Sequence, residues 1–141
     1  MWSSRVIAAA IAAFATASLA VPATAQVNDQ HYRGGRTSGL ANLCAASESD
    51  PGGQAARAWC YGFIVSAGQY HTALTAADPS RGRIFCLPEP APTLDEFRRD
   101  FVAWAQSNPQ YGDDKAIDGL ARFAASKYPC PSSPPPARTR R

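Results

Sequence analysis

The stretch that decides the fold is Gln54–Leu74, QAARAWCYGFIVSAGQYHTAL, the longest unbroken helical pattern in the chain. Ala56, Trp59, Cys60, Phe63, Ile64, Ala67 and Leu74 follow the i, i+3, i+4, i+7 spacing that lines one face of a 3.6-residue helix. This predicts a central helix that meets other helices along that face. Gly62, Ser66 and Gly68 sit among the bulky residues, and a helical glycine costs about 1 kcal/mol relative to alanine. Close approach of a neighbouring backbone is expected to offset that loss.

Upstream, Leu40, Leu43 and Cys44 share a face of a short helix that Thr37 or Ser38 can cap, and Asp50-Pro51-Gly52-Gly53 breaks the chain before the central helix. The pair reads as an αα-hairpin that brings Cys44 level with Cys60. Downstream, Asp78-Pro79-Ser80-Arg81-Gly82-Arg83 is a loop by composition, and the prolines of Pro88-Glu89-Pro90-Ala91-Pro92 forbid a helix. Thr93-Leu94-Asp95-Glu96 is a capping box that opens a third helix, with Leu94, Phe97, Phe101, Trp104 and Ala105 on one face. That helix stops near Ser107-Asn108-Pro109. Asp113 can cap a fourth, with Ile117, Leu120, Ala121, Ala124 and Tyr128 in its stripe, Phe123 beside it, and Pro129 at its end.

No stretch alternates with period two, so the chain reads as all-α: a small disulfide-stapled bundle of about four helices in two αα-hairpins. The second hairpin places the start of its first helix and the end of its second together, with Cys86 and Cys130 flanking those points. Cys44–Cys60 and Cys86–Cys130 are the expected pairs, although four cysteines allow three connectivities.

Arg5, the apolar run Val6–Val21 and Ala23-Thr24-Ala25 have the layout of a secretory signal over residues 1–25. The run is shorter than the roughly 20 apolar residues of a membrane span. Residues 26–36 read as a flexible lead-in, 37–130 as the helical domain, and 131–141 as a disordered tail rich in proline and arginine. An even set of cysteines in an exported chain favours disulfides formed in an oxidising compartment. A metal site is not expected, because there is no C-x-x-C and the only histidines are His31 and His71.

Between Gln26 and Cys130 ten Lys/Arg face eleven Asp/Glu, which removes the electrostatic case for a nucleic-acid partner. No catalytic set assembles either. His31 lies in the lead-in, His71 falls on the face expected to be buried, and the cysteines are committed to disulfides. Asp95, Glu96 and Asp100 cluster on the third helix and Asp113-Asp114 opens the fourth, and capping and the backbone dipole favour acidic residues in a helix's first turn, so a catalytic carboxylate pair is not expected. The chain therefore reads as a non-enzyme that needs no cofactor.

Three motifs in order, Cys60-Tyr61-Gly62-Phe63-Ile64, Phe85-Cys86-Leu87-Pro88 and Tyr128-Pro129-Cys130, resemble the Rap/Tai family of immunity proteins over roughly Leu40 to Cys130. The family often has a second glycine and an acidic residue along the central helix, about where this chain has Ser66 and Gln69. The resemblance implies a small exported helical protein that protects a type VI secreting cell by binding a cell-wall amidase toxin in the periplasm. It also implies a homodimer. A small periplasmic binding protein or acid-stress chaperone is the alternative. Expected contact residues are Asp78, Arg81 and Arg83 in the loop after the central helix, with Tyr111 in the loop between the last two helices as the second choice.

Overall fold

The computed structural model describes residues 27–33 and 35–131. Residues 1–25, read as a signal, and the tail from 132 onward lie outside that range. Four α-helices follow in order, α1 (Thr37–Ala45), α2 (Gly53–Ala77), α3 (Leu94–Ser107) and α4 (Ala116–Lys127), with single 3-10 turns at His31–Arg33, Pro79–Arg81 and Pro109–Tyr111. Among the described residues the only β feature is an isolated antiparallel bridge between Arg36 and Lys115. The protein is an all-α bundle with two disulfides.

The helix at the centre is α1, not α2. It packs against each of the other three, and its Leu40, Leu43 and Cys44 are fully buried. In α2 only Gly53, Ala56, Cys60 and Ile64 are buried, and Leu74 is 37% exposed. Length explains the difference: at 1.5 Å per residue the 25 residues of α2 span roughly 37 Å, while α1 has only 9 residues to pack against it. The second half of α2 therefore runs past its partner.

The periodicity of α2 reported the helix correctly but not where its covering ends. The glycines differ from expectation as well. A Cβ built at Gly62 or Gly68 meets nothing within 4 Å, so no neighbouring backbone inside the bundle accounts for them.

Aromatic side chains fill the space between α3 and α4. Phe97 meets the edge of Phe123 at 5.1 Å and stacks on Tyr128 at 5.7 Å, and Phe101 meets Phe123 at 5.7 Å, geometries that satisfy the ring quadrupoles. Phe123, expected beside the stripe, is at its centre, whereas Ile117 is 45% exposed. The buried face of α4 is Ala116, Gly119, Leu120, Phe123 and Ala124. Gly119 turns this face inward because its missing side chain leaves room for Thr37 of α1.

Helix caps divide into local and tertiary ones. The Thr93–Glu96 box forms as expected: the Glu96 N–H donates to Thr93 Oγ1 at 3.2 Å, and the Thr93 N–H donates to Glu96 Oε2 at 2.8 Å. Neither Thr37 nor Ser38 caps α1. Both lie in its first turn and donate their backbone N–H groups to Asp114 O (2.8 Å) and Gly112 O (3.0 Å), so the loop before α4 supplies the acceptors that α1 lacks. Asp113 likewise does not cap α4, whose N-cap is Lys115; it pairs with Arg36 instead.

The stretch before α1 shows no periodicity, yet it is packed: Val27 and Tyr32 lie against the core, and His31 bonds the Asn28 N–H at 3.3 Å and the Asn42 amide at 3.2 Å. Cys44 is bonded to Cys60 and Cys86 to Cys130, the pairing that two antiparallel hairpins require.

Candidate functional site

The segment after α2 combines a rigid turn with an exposed edge. The Asp78 N–H donates to Leu74 O at 3.1 Å and closes the helix. The Asp78 carboxylate then accepts from the Ser80 hydroxyl at 2.5 Å, the Ser80 N–H at 3.1 Å and Arg81 Nε at 3.1 Å. The Ser80 hydroxyl, followed by Arg81, holds the Asp78 carboxyl below its usual pKa. Asp78 therefore organises the turn, and Arg81 is folded back onto it.

Gly82, at φ +67°, reverses the chain in a conformation that residues with a side chain rarely adopt. Beyond it lie Arg83, exposed and without an ion-pair partner among the described residues, Ile84 at 58% exposure and Leu87 at 47%.

The strap that carries these residues is held on both sides. Toward α2, the Ile84 N–H donates to His71 Nε2 at 3.0 Å, and Phe85 stacks on the His71 ring at 4.3 Å. Toward α4, the Cys86 N–H donates to Tyr128 O at 2.9 Å, beside the Cys86–Cys130 bond. His71 is thus partly exposed and satisfied by the strap. Burial, and then the charge of Arg83, push its pKa below the ordinary histidine value.

The loop between α3 and α4 is built differently. Tyr111 stacks on Trp104 at 5.8 Å, and the Arg122 guanidinium sits 4.4 Å from the centre of the Tyr111 ring. With these two neighbours the ring is a packing element, and the carbonyls around it cap α1. This loop and the Asp78–Arg83 turn lie at opposite ends of the α3–α4 hairpin, so Tyr111 does not join Asp78, Arg81 and Arg83 in one surface.

One cluster escaped the sequence reading. Asp95 Oδ1 accepts from Tyr61 Oη at 2.8 Å, Arg98 Nε at 2.9 Å and Arg57 Nη2 at 3.3 Å, while Oδ2 faces Arg99 Nε at 3.4 Å. Arg98 also donates to Cys44 O at 2.6 Å. The hub ties α2 and α3 to the C-terminal end of α1. Its in-helix spacings, Arg57 to Tyr61 and Asp95 to Arg98 and Arg99, were visible in the sequence; that the two sets face each other was not.

An open concavity of about 520 Å³ lies between Pro88, Pro90, Pro92 and the face of α3 that carries Glu96, Arg99 and Asp100. Its carboxylates already have partners, Glu96 with Thr93 and Asp100 with Lys127 at 3.4 Å. Among the described residues no cluster of His, Cys, Asp and Glu could hold a metal ion, and no helix is long and apolar enough to cross a membrane.

The family model for Rap1a immunity proteins matches residues 36–130. The chain belongs to the Rap1a immunity protein family. The match spans all four helices and both disulfides, the part of the molecule described as one packed bundle. Comparisons with curated proteins and with solved structures returned no match. For a Rap1a immunity protein the implied role is to bind a toxin, and two disulfides fit an oxidising compartment.

Proposed function

We propose that this Rap1a immunity protein is exported by cleavage after Ala25, folds in the periplasm, and binds and occludes a peptidoglycan amidase toxin delivered by type VI secretion. The plug is the segment from Asp78 to Leu87. Arg83 and Ile84 make the contacts, Leu87 extends the apolar edge, and Asp78 with Arg81 keeps the turn in shape.

The observation that carries this reading is the exposed Arg83, Ile84 and Leu87 edge on a backbone tied down at both ends. A preorganised edge loses little conformational entropy on binding, which favours affinity. Tyr111 is the second choice of contact, and its loop would then act as a separate epitope.

The test is co-purification with the amidase encoded nearest to this gene, followed by cell-wall hydrolysis with and without stoichiometric protein. Occlusion predicts a complex and abolished hydrolysis. It also predicts that Arg83→Ala weakens binding about tenfold or more, a loss of roughly 1.4 kcal/mol, without changing the fold. No complex and undiminished hydrolysis would defeat the amidase reading.

A small periplasmic chaperone is the second reading, supported by the exposed Val65, Tyr70 and Leu74 on the overhanging half of α2. Tyr70 and Leu74, one turn apart on one face of α2, would also serve a homodimer, which light scattering across a concentration series checks.

A further inference from the structure

His71 stands where α2 has outrun the bundle, and both of its contacts go to the strap. Phe85 covers the ring face, and the Ile84 N–H points at Nε2. A ring nitrogen that accepts a hydrogen bond carries a lone pair, so the neutral ring holds its proton on Nδ1. In the imidazolium both nitrogens are donors, and an Nε2–H would face the Ile84 N–H.

We propose that His71 is an acid-released latch for the Gly82–Leu87 strap. Neutral, it pins Ile84 and Phe85 to α2 and fixes the exposed edge of Arg83, Ile84 and Leu87. Protonated, it loses the Ile84 bond and frees the near end of the strap, while the Cys86–Cys130 bond and the Cys86–Tyr128 hydrogen bond keep the far end docked on α4.

The charges around the ring agree with this arrangement. Arg83, on the strap itself, is the charge that acts on His71 and opposes its protonation. In the turn that follows α2, Asp78 and Arg81 are bound to each other. The latch therefore stays closed through neutral pH and opens only below the ordinary histidine value of 6.5. That opening loosens the toxin-binding edge rests on the proposed function; the latch itself does not.

The test follows the purified chain alone by NMR from about pH 8 to about pH 5, reading the His71 ring titration and the exchange protection of the Ile84 and Cys86 amides. Ile84 protection should fall about fivefold as His71 takes up its proton, the equivalent of one hydrogen bond, while Cys86 stays protected. In His71→Gln the side-chain carbonyl can accept from Ile84 and does not titrate, so protection should become independent of pH. Ile84 protection that is unchanged across the His71 titration overturns the proposal. The same pH-dependent loss in His71→Gln also overturns it, because another group would then drive the opening. These readouts need no toxin, so failure of amidase binding and failure of the latch are distinguishable.

Discussion

Thr37, in the first turn of α1, is buried against Gly119 of α4, and a methyl group added at Gly119 would overlap the Thr37 side chain. The Thr37 hydroxyl meanwhile donates to the carbonyls of Asp114 and Lys115, at 3.2 and 3.1 Å. One glycine thus sets the distance between two helices and the cap of one of them.

Substitutions at the helical glycines should separate by site. Gly119→Ala should destabilise the protein by about 1–3 kcal/mol, because overpacking outweighs the gain of up to about 1 kcal/mol in helix propensity. Gly62→Ala and Gly68→Ala meet open space and should stabilise it by about 0.5–1 kcal/mol. Urea unfolding of the three variants checks this. Any loss of toxin binding in the stabilised pair would place a partner's backbone close to α2.

The two disulfides should differ in access and in worth. Cys44 and Cys60 are fully buried, whereas Cys86 and Cys130 are partly exposed, so a limiting reductant should open Cys86–Cys130 first, as read by alkylation and peptide mapping. On chain entropy, sequence separations of 16 and 44 give about 3 and about 4 kcal/mol respectively. Replacing both partners of each pair by alanine and measuring the loss of stability tests that order.

Asp95 should make the fold sensitive to acid. Tyr61 first, then Arg98, hold its carboxyl below the usual value of 3.8, so the folded state favours the ionised form. Its contribution is present above pH 3.8, and it is lost as pH falls through the lowered folded-state pKa, because the unfolded chain takes up the proton first. Asp95→Asn should be less stable than wild type at neutral pH, and the gap should close below pH 3.8. Parallel melting curves across that range measure it.

Tyr111 should be a stability residue rather than a contact residue. Losing its stack on Trp104 and the cation–π contact with Arg122 in Tyr111→Leu should cost about 1–2 kcal/mol, while Tyr111→Phe should be close to neutral. Binding measured on the folded variants then separates the two loops. A Tyr111→Phe that binds tenfold more weakly would move the plug to the α3–α4 loop.

By itself the sequence determined the helices and their order, because these depend on local spacing: the apolar period of α2, the Thr93–Glu96 box, and the breakers at Pro51 and Pro88. It made Cys44–Cys60 and Cys86–Cys130 the expected pairs among three connectivities, and the packed hairpins decided between them. It also supplied the family's motifs around Cys60, Cys86 and Cys130. Only the tertiary structure decided which helix is central, since burial depends on where a neighbour's length runs out and a stripe reads the same beyond that point, as Leu74 shows. It decided the caps of α1, whose acceptors are the carbonyls of Gly112 and Asp114, far away in sequence. It also decided which charged and aromatic side chains are held by partners inside the molecule, as Asp95 and Tyr111 are, and which are exposed at its edge, as Arg83 is. Propensity and periodicity act over a few residues, whereas these outcomes depend on which surfaces meet.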